Sequence, residues 1–136
     1  MVDSTAISAS GLRAQSVRLS TSASNIANLT TSGRIPDADN PNSSVYNPKD
    51  AVLDTVSIGA QGAGVRASVV GRENGTSIAY DPQSSFSNQD GFIAVPNISL
   101  EREIVDVKIA EIAYKANVQA LKVADELNRE LLDTLA

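Results

Sequence analysis

Residues 100–135 constrain this chain most, because their helical pattern is apolar on more than one side. One apolar stripe advances in steps of three and four residues and consists of Val105, Ile109, Ile112, Ala116, Ala120, Val123, Leu127 and Leu131. A second stripe consists of Leu100, Ile104, Val107, Tyr114, Val118 and Leu121. Such a helix would be about 54 Å long and needs several neighbours to cover it. A chain of 136 residues cannot supply them all, so the pattern predicts that copies of the chain cover one another.

The other end of the chain carries a weaker helical pattern. Within residues 4–29, Leu12, Leu19 and Ile26 are spaced by seven and alternate with small residues. Seven Ser, two Thr and Gly11 in this segment lower its helix propensity by about 5 kcal/mol relative to alanine. An isolated helix of this kind is mostly unfolded in water. Residues 1–33 are therefore predicted to form an arm, capped by Asp3 or Ser4, that becomes helical when its Leu/Ile stripe is buried.

Between the arms, residues 34–98 combine loop and strand patterns. The strand candidates alternate with period two and are Val52–Ile58, Val65–Val69, Ile78–Tyr80 and Phe92–Val95. Asn74-Gly75 predicts a hairpin between the second and third candidates. Pro96 ends the last strand, and Ser99 can cap a helix over 99–136. We therefore expect a mainly α fold with a small β insertion (α+β), in which the two terminal helices pack as a coiled-coil-like bundle.

Composition argues against catalysis. The chain has no His, Cys or Trp, which removes His- or Cys-based nucleophiles and zinc sites with nitrogen or sulfur ligands. Glu101, Glu103 and Asp106 cluster at the start of the last helix, where the helix dipole favours carboxylates; this explanation is preferred to a catalytic pair. We expect no enzyme activity, no catalytic residue, no cofactor, no metal and no small-molecule substrate.

Charge and hydropathy exclude further classes. The net charge is −5, and no cluster of Lys and Arg with stacking aromatics is present, so nucleic-acid binding is not expected. No run approaches the roughly 18 apolar residues that cross a bilayer. No secretory signal opens the chain, so export, if it occurs, is expected without a cleaved signal peptide.

Three groups of residues resemble a known family. The first is Ser10-Gly11-Leu12-x-Ala14-Gln15-x-x-Arg18-Leu19 followed by Ala23-x-Asn25-Ile26-Ala27-Asn28-x-x-Thr31. The second is Pro96-Asn97-Ile98-x-Leu100-x-x-Glu103-Ile104-Val105 followed by Ala113-Tyr114-x-Ala116-Asn117. The third is Tyr80-Asp81-Pro82, then Asp90-Gly91-Phe92 and Pro96-Asn97. Together they resemble the bacterial flagellar axial proteins of the rod and hook, and the third group is similar to proximal rod components.

The resemblance implies a structural subunit of the basal body that polymerises through its terminal helices into a tubular drive shaft. It implies passage through the flagellar type III export apparatus and a place in the rod, in the periplasmic space. The partners it implies are other flagellar rod proteins, copies of the chain itself, the membrane ring and the export gate. Two rivals stay open: a cytosolic export chaperone or helical adaptor, and a carboxylate-dependent hydrolase acting on cell-wall glycan.

The expected assembly interface follows from the stripes and the motifs. Its residues are Leu12, Leu19, Ile26, Asn28, Ile104, Ile109, Ile112, Asn117, Val123 and Leu127. Asn117 interrupts the last helix and has two interpretations. It either faces solvent or is buried at an interface, where a single Asn can fix the register of helices.

Overall fold

The computed structural model describes residues 4–36, 45–59 and 61–135 of the chain. In sequence, two long helices flank two β-hairpins, which confirms the α+β expectation. In chain order the elements are α1 (Ser4–Ala27), β1 (Lys49–Ile58), β2 (Gln61–Gly71), β3 (Thr76–Tyr80), β4 (Phe92–Pro96) and α2 (Leu100–Leu135). The cap candidate Asp3 lies outside the described residues, and α1 begins at the other candidate, Ser4.

The two helices pack against each other in opposite directions. Near one end Asn25 contacts Glu103, and near the other Gly11 lies against Asn117. The buried face of α1 is made of small and polar residues: Ser8, Gly11, Ala14, Gln15, Thr21, Ser22 and Asn25. A Cβ on Gly11 would overlap the Asn117 carboxamide, so the Asn117 side chain lies closer to α1 there than a residue with a Cβ would permit.

The second helix continues beyond the described part of the first. Extending the antiparallel register places Ser4 opposite the turn around Ala124. Residues 125–135 of α2, about 16 Å of helix, therefore extend past the start of α1. We call them the α2 terminal segment.

The first hairpin covers the other side of α1. Strands β1 and β2 pair from Lys49↔Gly71 to Ile58↔Gln61, with an irregularity between Val56 and Ser57. The Val65 backbone N–H donates to Ser10 Oγ at 3.1 Å, and a Cβ on Gly64 would overlap the same hydroxyl. Helix α1 is thus held between α2 and the first hairpin.

The second hairpin corrects one expectation. Strand β3 pairs with β4 and β2 pairs with β1, so the hairpin predicted at Asn74-Gly75 between β2 and β3 is wrong. Asn74 does take a left-handed conformation, with φ +35°. Gly75, however, is buried against Asn47, and its carbonyl accepts the Asn97 N–H at 2.8 Å. The Asn-Gly pair is a corner that passes the chain from one sheet to the next.

The Tyr80-Asp81-Pro82 and Asp90-Gly91-Phe92 groups close the tip of the second hairpin. The Tyr80 and Phe92 rings meet edge to face, with centroids 5.4 Å apart and planes at 69°. Gly91 has φ +84°, and the Tyr80 ring occupies the space that a Cβ on Gly91 would need. The Asp81 N–H donates to the Gly91 carbonyl at 2.9 Å. The spacing of this motif therefore has a structural cause.

Neither α1 nor α2, nor any other helical stretch of the described residues, combines the length and the apolar character needed to span a membrane.

Candidate assembly interface

A long apolar surface that no other described residue covers runs along α2. All eight residues of the stripe from Val105 to Leu131 are exposed, and Ile112 is 67% exposed. The stripe spans 26 residue steps, or about 39 Å. We call these eight residues the α2 stripe. A continuous exposed apolar surface of this length marks an interaction site.

Helix α1 presents a second apolar row at the edge of its contact with α2. Leu19 is 43% exposed, and Leu12 and Ile26 are half-buried. Because α1 meets α2 through its small and polar face, the Leu/Ile row is left beside the helix–helix seam and not within it. These three residues therefore lie where a further helix could cover them.

The remaining expected interface residues fall into two groups. Ile104, Ile109, Val123 and Leu127 are exposed on α2. Asn117 is half-buried against Gly11 of the same chain, and its Nδ2 donates to the Ala113 carbonyl at 2.8 Å. Asn28 directly follows α1, and its Nδ2 donates to the Ser24 carbonyl at 2.8 Å. The two asparagines thus make contacts inside one copy.

A buried polar network joins the two helices to the first hairpin, and it centres on Asn25. Asn25 Nδ2 donates to the Lys49 carbonyl at 2.8 Å and to Glu103 Oε1 at 3.1 Å. Asn25 Oδ1 accepts the Lys49 N–H and the Tyr46 hydroxyl, both at 3.0 Å. Asn25 and Glu103 are each 1% exposed. All four hydrogen-bonding positions of the Asn25 carboxamide are therefore satisfied, which burial requires.

Arg72 supplies the charge that balances Glu103. Arg72 Nη2 lies 2.7 Å from Glu103 Oε1 and 2.7 Å from Asp50 Oδ1, and Arg72 Nε donates to the same Asp50 oxygen at 2.9 Å. The hydrogen bond from Arg72 lowers the pKa of Asp50, and the hydrogen bond to Asp50 raises the pKa of Arg72. The arrangement holds the start of α2 on β1 and on the end of β2.

The acidic cluster of α2 has three separate partners. Glu101 Oε2 accepts the Ser99 hydroxyl at 2.9 Å, and Ser99 caps the helix through the Arg102 N–H. Glu103 pairs with Arg72, while Asp106 pairs with Arg18 of α1 at 2.6 Å. Helix-start electrostatics describes Glu101, but Glu103 and Asp106 are inter-element ion pairs that the sequence did not reveal. The sequence did contain an indication that these residues matter, since Arg18, Asn25 and Glu103 all belong to the family motifs.

An apolar groove of about 470 Å³ runs beside the seam between the helices. Its lining residues are Gln15, Ser16, Leu19, Val107, Ala110, Glu111, Tyr114 and Lys115. Gln15 is 9% exposed, and among the described residues its buried Oε1 finds no hydrogen-bond donor. We call this the Gln15 groove.

The accessible surface of one copy is 9298 Å². A compact monomer of 14.2 kDa would expose about 6,800 Å². The excess agrees with the exposed stripe, the open groove and the projecting end of α2. Among the described residues, no group of three His, Cys, Asp or Glu side chains could hold a metal ion. The exposed stripe and the open groove offer apolar association.

Comparison with known proteins finds similarity to flagellar rod proteins. Residues 6–33 match the family model described as flagella basal body rod protein. Three relatives are named flagellar basal-body rod protein FlgC. The one from Agrobacterium fabrum is 31% identical, over 95% of this chain and 91% of the relative, and the one from Borreliella burgdorferi is 32% identical, over 95% and 93%. The Salmonella typhimurium relative is 28% identical, over 89% of this chain and 87% of its own length.

Proposed function

Because the chain belongs to the FlgC family of flagellar basal-body rod proteins, and is therefore a structural subunit of the rod, we propose that it polymerises through its terminal helices. The exposed α2 stripe carries this proposal. Covering an apolar surface of this length stabilises association at about 25 cal/mol per Å² of apolar area removed from water. Since its relatives are rod proteins, the interpretation as an export chaperone is not favoured.

Two apolar surfaces on opposite sides of α2 suit an open-ended assembly. At 3.6 residues per turn, the α2 stripe lies roughly half a turn away from the side that lines the Gln15 groove. Contacts between different surfaces of identical copies generate rings or helical tubes, whereas a self-complementary surface stops at a dimer. The proposed contact residues are Leu12, Leu19, Ile26, Ile104, Ile109, Ile112, Val123 and Leu127. Asn28 and Asn117 are proposed to shape the helix pair that carries them.

We also propose where in the rod the subunit lies. The subunit lies in the proximal part of the rod, between the membrane ring with its export gate and the distal rod, and it performs no catalysis. It crosses the export apparatus unfolded. The poor helix propensity of α1 supports this route, because a marginal helix is easily unfolded before passage.

The test places a charge on the α2 stripe. Ile112 is exposed in one copy, so Ile112→Asp leaves the fold of the monomer intact but buries a carboxylate in the assembly, which costs several kcal/mol. We expect cells with this variant as their sole copy to make the protein, to lack rods in electron micrographs and to be non-motile. Leu19→Asp is expected to behave in the same way.

Gln89→Asp is the matched control, because Gln89 is an exposed loop residue and the variant gains the same charge. It is expected to keep rods and motility. Normal rods in both the Ile112→Asp and Leu19→Asp strains would contradict polymerisation through these surfaces.

A further inference from the structure

The first hairpin is a sheet of only two strands, so each strand has an outer edge. In an antiparallel pair, alternate residues bond across the pair and the others direct their N–H and C=O groups outward. Lys49 belongs to the outward set, because its N–H and C=O both bond the Asn25 carboxamide, and so does Val65, whose N–H bonds Ser10 Oγ. The same alternation directs the backbone of six further residues outward: Ala51, Leu53 and Thr55 on β1, and Ala67, Val69 and Gly71 on β2.

These six residues form two free edges. We call the first three the β1 edge and the other three the β2 edge. Among the described residues, none of their outward N–H or C=O groups has a hydrogen-bond partner. A long edge of this kind is a template for pairing with a strand of another chain. A two-stranded ribbon is also only marginally stable by itself, so an added strand would stabilise it.

The β1 edge of one copy fits the β2 edge of another in one antiparallel register. Its pairs are Ala51 with Gly71, Leu53 with Val69, and Thr55 with Ala67. Every residue of both edges then exchanges two hydrogen bonds with its partner. A shift of two residues that brings Lys49 opposite Gly71 loses a pair, because Asn25 already bonds both backbone groups of Lys49.

The apolar side chains agree with the same register. Leu53 faces Val69 on one side of the joined sheet, and Val52 faces Val70 on the other side. All four side chains are exposed in one copy. The pairing therefore buries one apolar pair on each face, and such directly opposite pairs stabilise a sheet.

Charge favours the same contact. Arg13 and Arg66 line a groove of about 270 Å³ between α1 and the first hairpin, and neither forms an ion pair with a described residue. Asp54 lies opposite Arg66 within one copy but forms no ion pair there either. In the register above, Asp54 of the second copy lies opposite Ser68 and diagonal to Arg66, within reach of that long side chain. An acid of the β1 edge is thus attracted to the cations beside the β2 edge.

We propose that the β1 edge of one copy pairs with the β2 edge of a second copy in this register, so that the first hairpins of successive copies form one continuous antiparallel sheet. The inference rests on the proposed polymerisation and adds a contact made by the backbone to those made by the helices. Each added copy leaves its own free edge, so the contact repeats from copy to copy without closing on a dimer.

Cysteine cross-linking tests the contact, because the chain has no Cys of its own. Cells would make two forms of the chain, one with Val52→Cys and one with Val70→Cys, so that only a contact between copies can join the two forms. Basal bodies would be isolated and mildly oxidised. We expect a disulfide-linked species of doubled mass that reducing agent removes, and we expect each form alone to stay monomeric on the gel. Leu53→Cys with Val69→Cys is a second pair, which probes the other face of the sheet.

The other outcomes separate the inference from the proposed function. A product from Val52→Cys alone would show that two β1 edges meet, and a product with Ser68→Cys in place of Val70→Cys would show a different register. Either result would overturn the inference, while polymerisation would stand. A linked species that contains a protein of another mass, or no product from either pair in assembled rods, would also overturn it. Absence of the unmodified chain from isolated rods would instead contradict the proposed function.

The charge pairing has its own test within the cysteine background. Asp54→Lys brings a third cation to Arg13 and Arg66 and is expected to lower the yield of cross-linked dimer about fivefold. Adding Arg66→Glu restores opposite charges and is expected to recover most of the yield. Asp90→Lys is the matched control, because Asp90 is an exposed loop residue and the change in charge is the same. Equal yields in all of these backgrounds would overturn the part assigned to Asp54.

Discussion

Asn25 and Glu103 are buried although both are polar, and their positions show what the terminal motifs do at the level of single residues. Each connects elements that are distant in sequence, and each has its partners within hydrogen-bonding distance. A fully satisfied buried network specifies one arrangement of its elements, because any other arrangement leaves polar groups unpaired. The motif residues thus determine how α1, α2 and the first hairpin meet.

Replacing Glu103 should lower the stability of the fold, because it breaks this network. Glu103→Ala leaves the Arg72 guanidinium with only Asp50 and removes an acceptor of Asn25. We expect the free energy of unfolding to fall by about 3 kcal/mol, measured by chemical denaturation. Glu101→Ala serves as the control, since Glu101 is exposed and its carboxylate bonds Ser99 at the helix cap, and the denaturation midpoint of this variant should be close to that of the unmodified chain. Similar midpoints for both variants would contradict a structural role for Glu103.

Asp50 should make stability sensitive to acid. The hydrogen bond from Arg72 lowers the folded pKa of Asp50 below its ordinary value of 3.8. A lowered folded pKa stabilises the native state above the unfolded pKa, and this stabilisation is lost as the pH falls through the folded pKa. The denaturation midpoint should therefore decline below about pH 4. Asp50→Asn should be less stable near neutrality and decline less steeply in acid; parallel curves would contradict the assignment.

At the scale of the elements, the sequence was informative wherever apolar residues repeat with a regular period. All four strand candidates and both helices exist, because alternation and the 3.6-residue period are typical of strand and helix whether the apolar side chains are buried in one copy or left exposed. Strand partners were not predictable at Asn74-Gly75, because a turn signal is local whereas pairing is decided by distant contacts. The buried face of α1 also escaped prediction, since Ser8, Thr21 and Asn25 give no apolar signal. The Leu/Ile row of α1, by contrast, was visible in the sequence because its side chains are large and apolar. The same property would let a partner bind it.

The approach of α1 to α2 depends on Gly11 and Asn117 together. Gly11→Ala gains about 1 kcal/mol of helix propensity, but its new methyl group overlaps the Asn117 carboxamide, and overpacking of this kind costs about 1–3 kcal/mol. We expect a net loss of stability by chemical denaturation. Asn117→Ala in the Gly11→Ala background removes the overlap and should recover the loss, which a double-mutant cycle would register as strong coupling. Additive effects would show that the contact is loose.

At the scale of the whole molecule, the two helices bury different kinds of surface. Inside one copy they meet mainly through small and polar residues, while Leu19 of α1 and the α2 stripe stay exposed among the described residues. Stability of the helices should therefore depend on neighbouring copies, as it does in assemblies whose folded state is inseparable from concentration. The polar contact between the helices defines the fold of the subunit, and the exposed apolar side chains favour polymerisation.

The helicity of α1 should consequently depend on assembly. Its poor propensity, about 5 kcal/mol below alanine, is offset in one copy by contacts with α2 and with the first hairpin, and the Leu12, Leu19 and Ile26 row completes its burial when a neighbour arrives. We expect amides of α1 to exchange rapidly with deuterium in dilute purified subunit and to be protected in isolated rods. The amides that bond β1 to β2 are the internal control, because their partners lie in the same hairpin and their protection should change little. Full protection of α1 in the dilute subunit would mean that one copy suffices to hold the helix, and the Leu/Ile row would then have no part in ordering it.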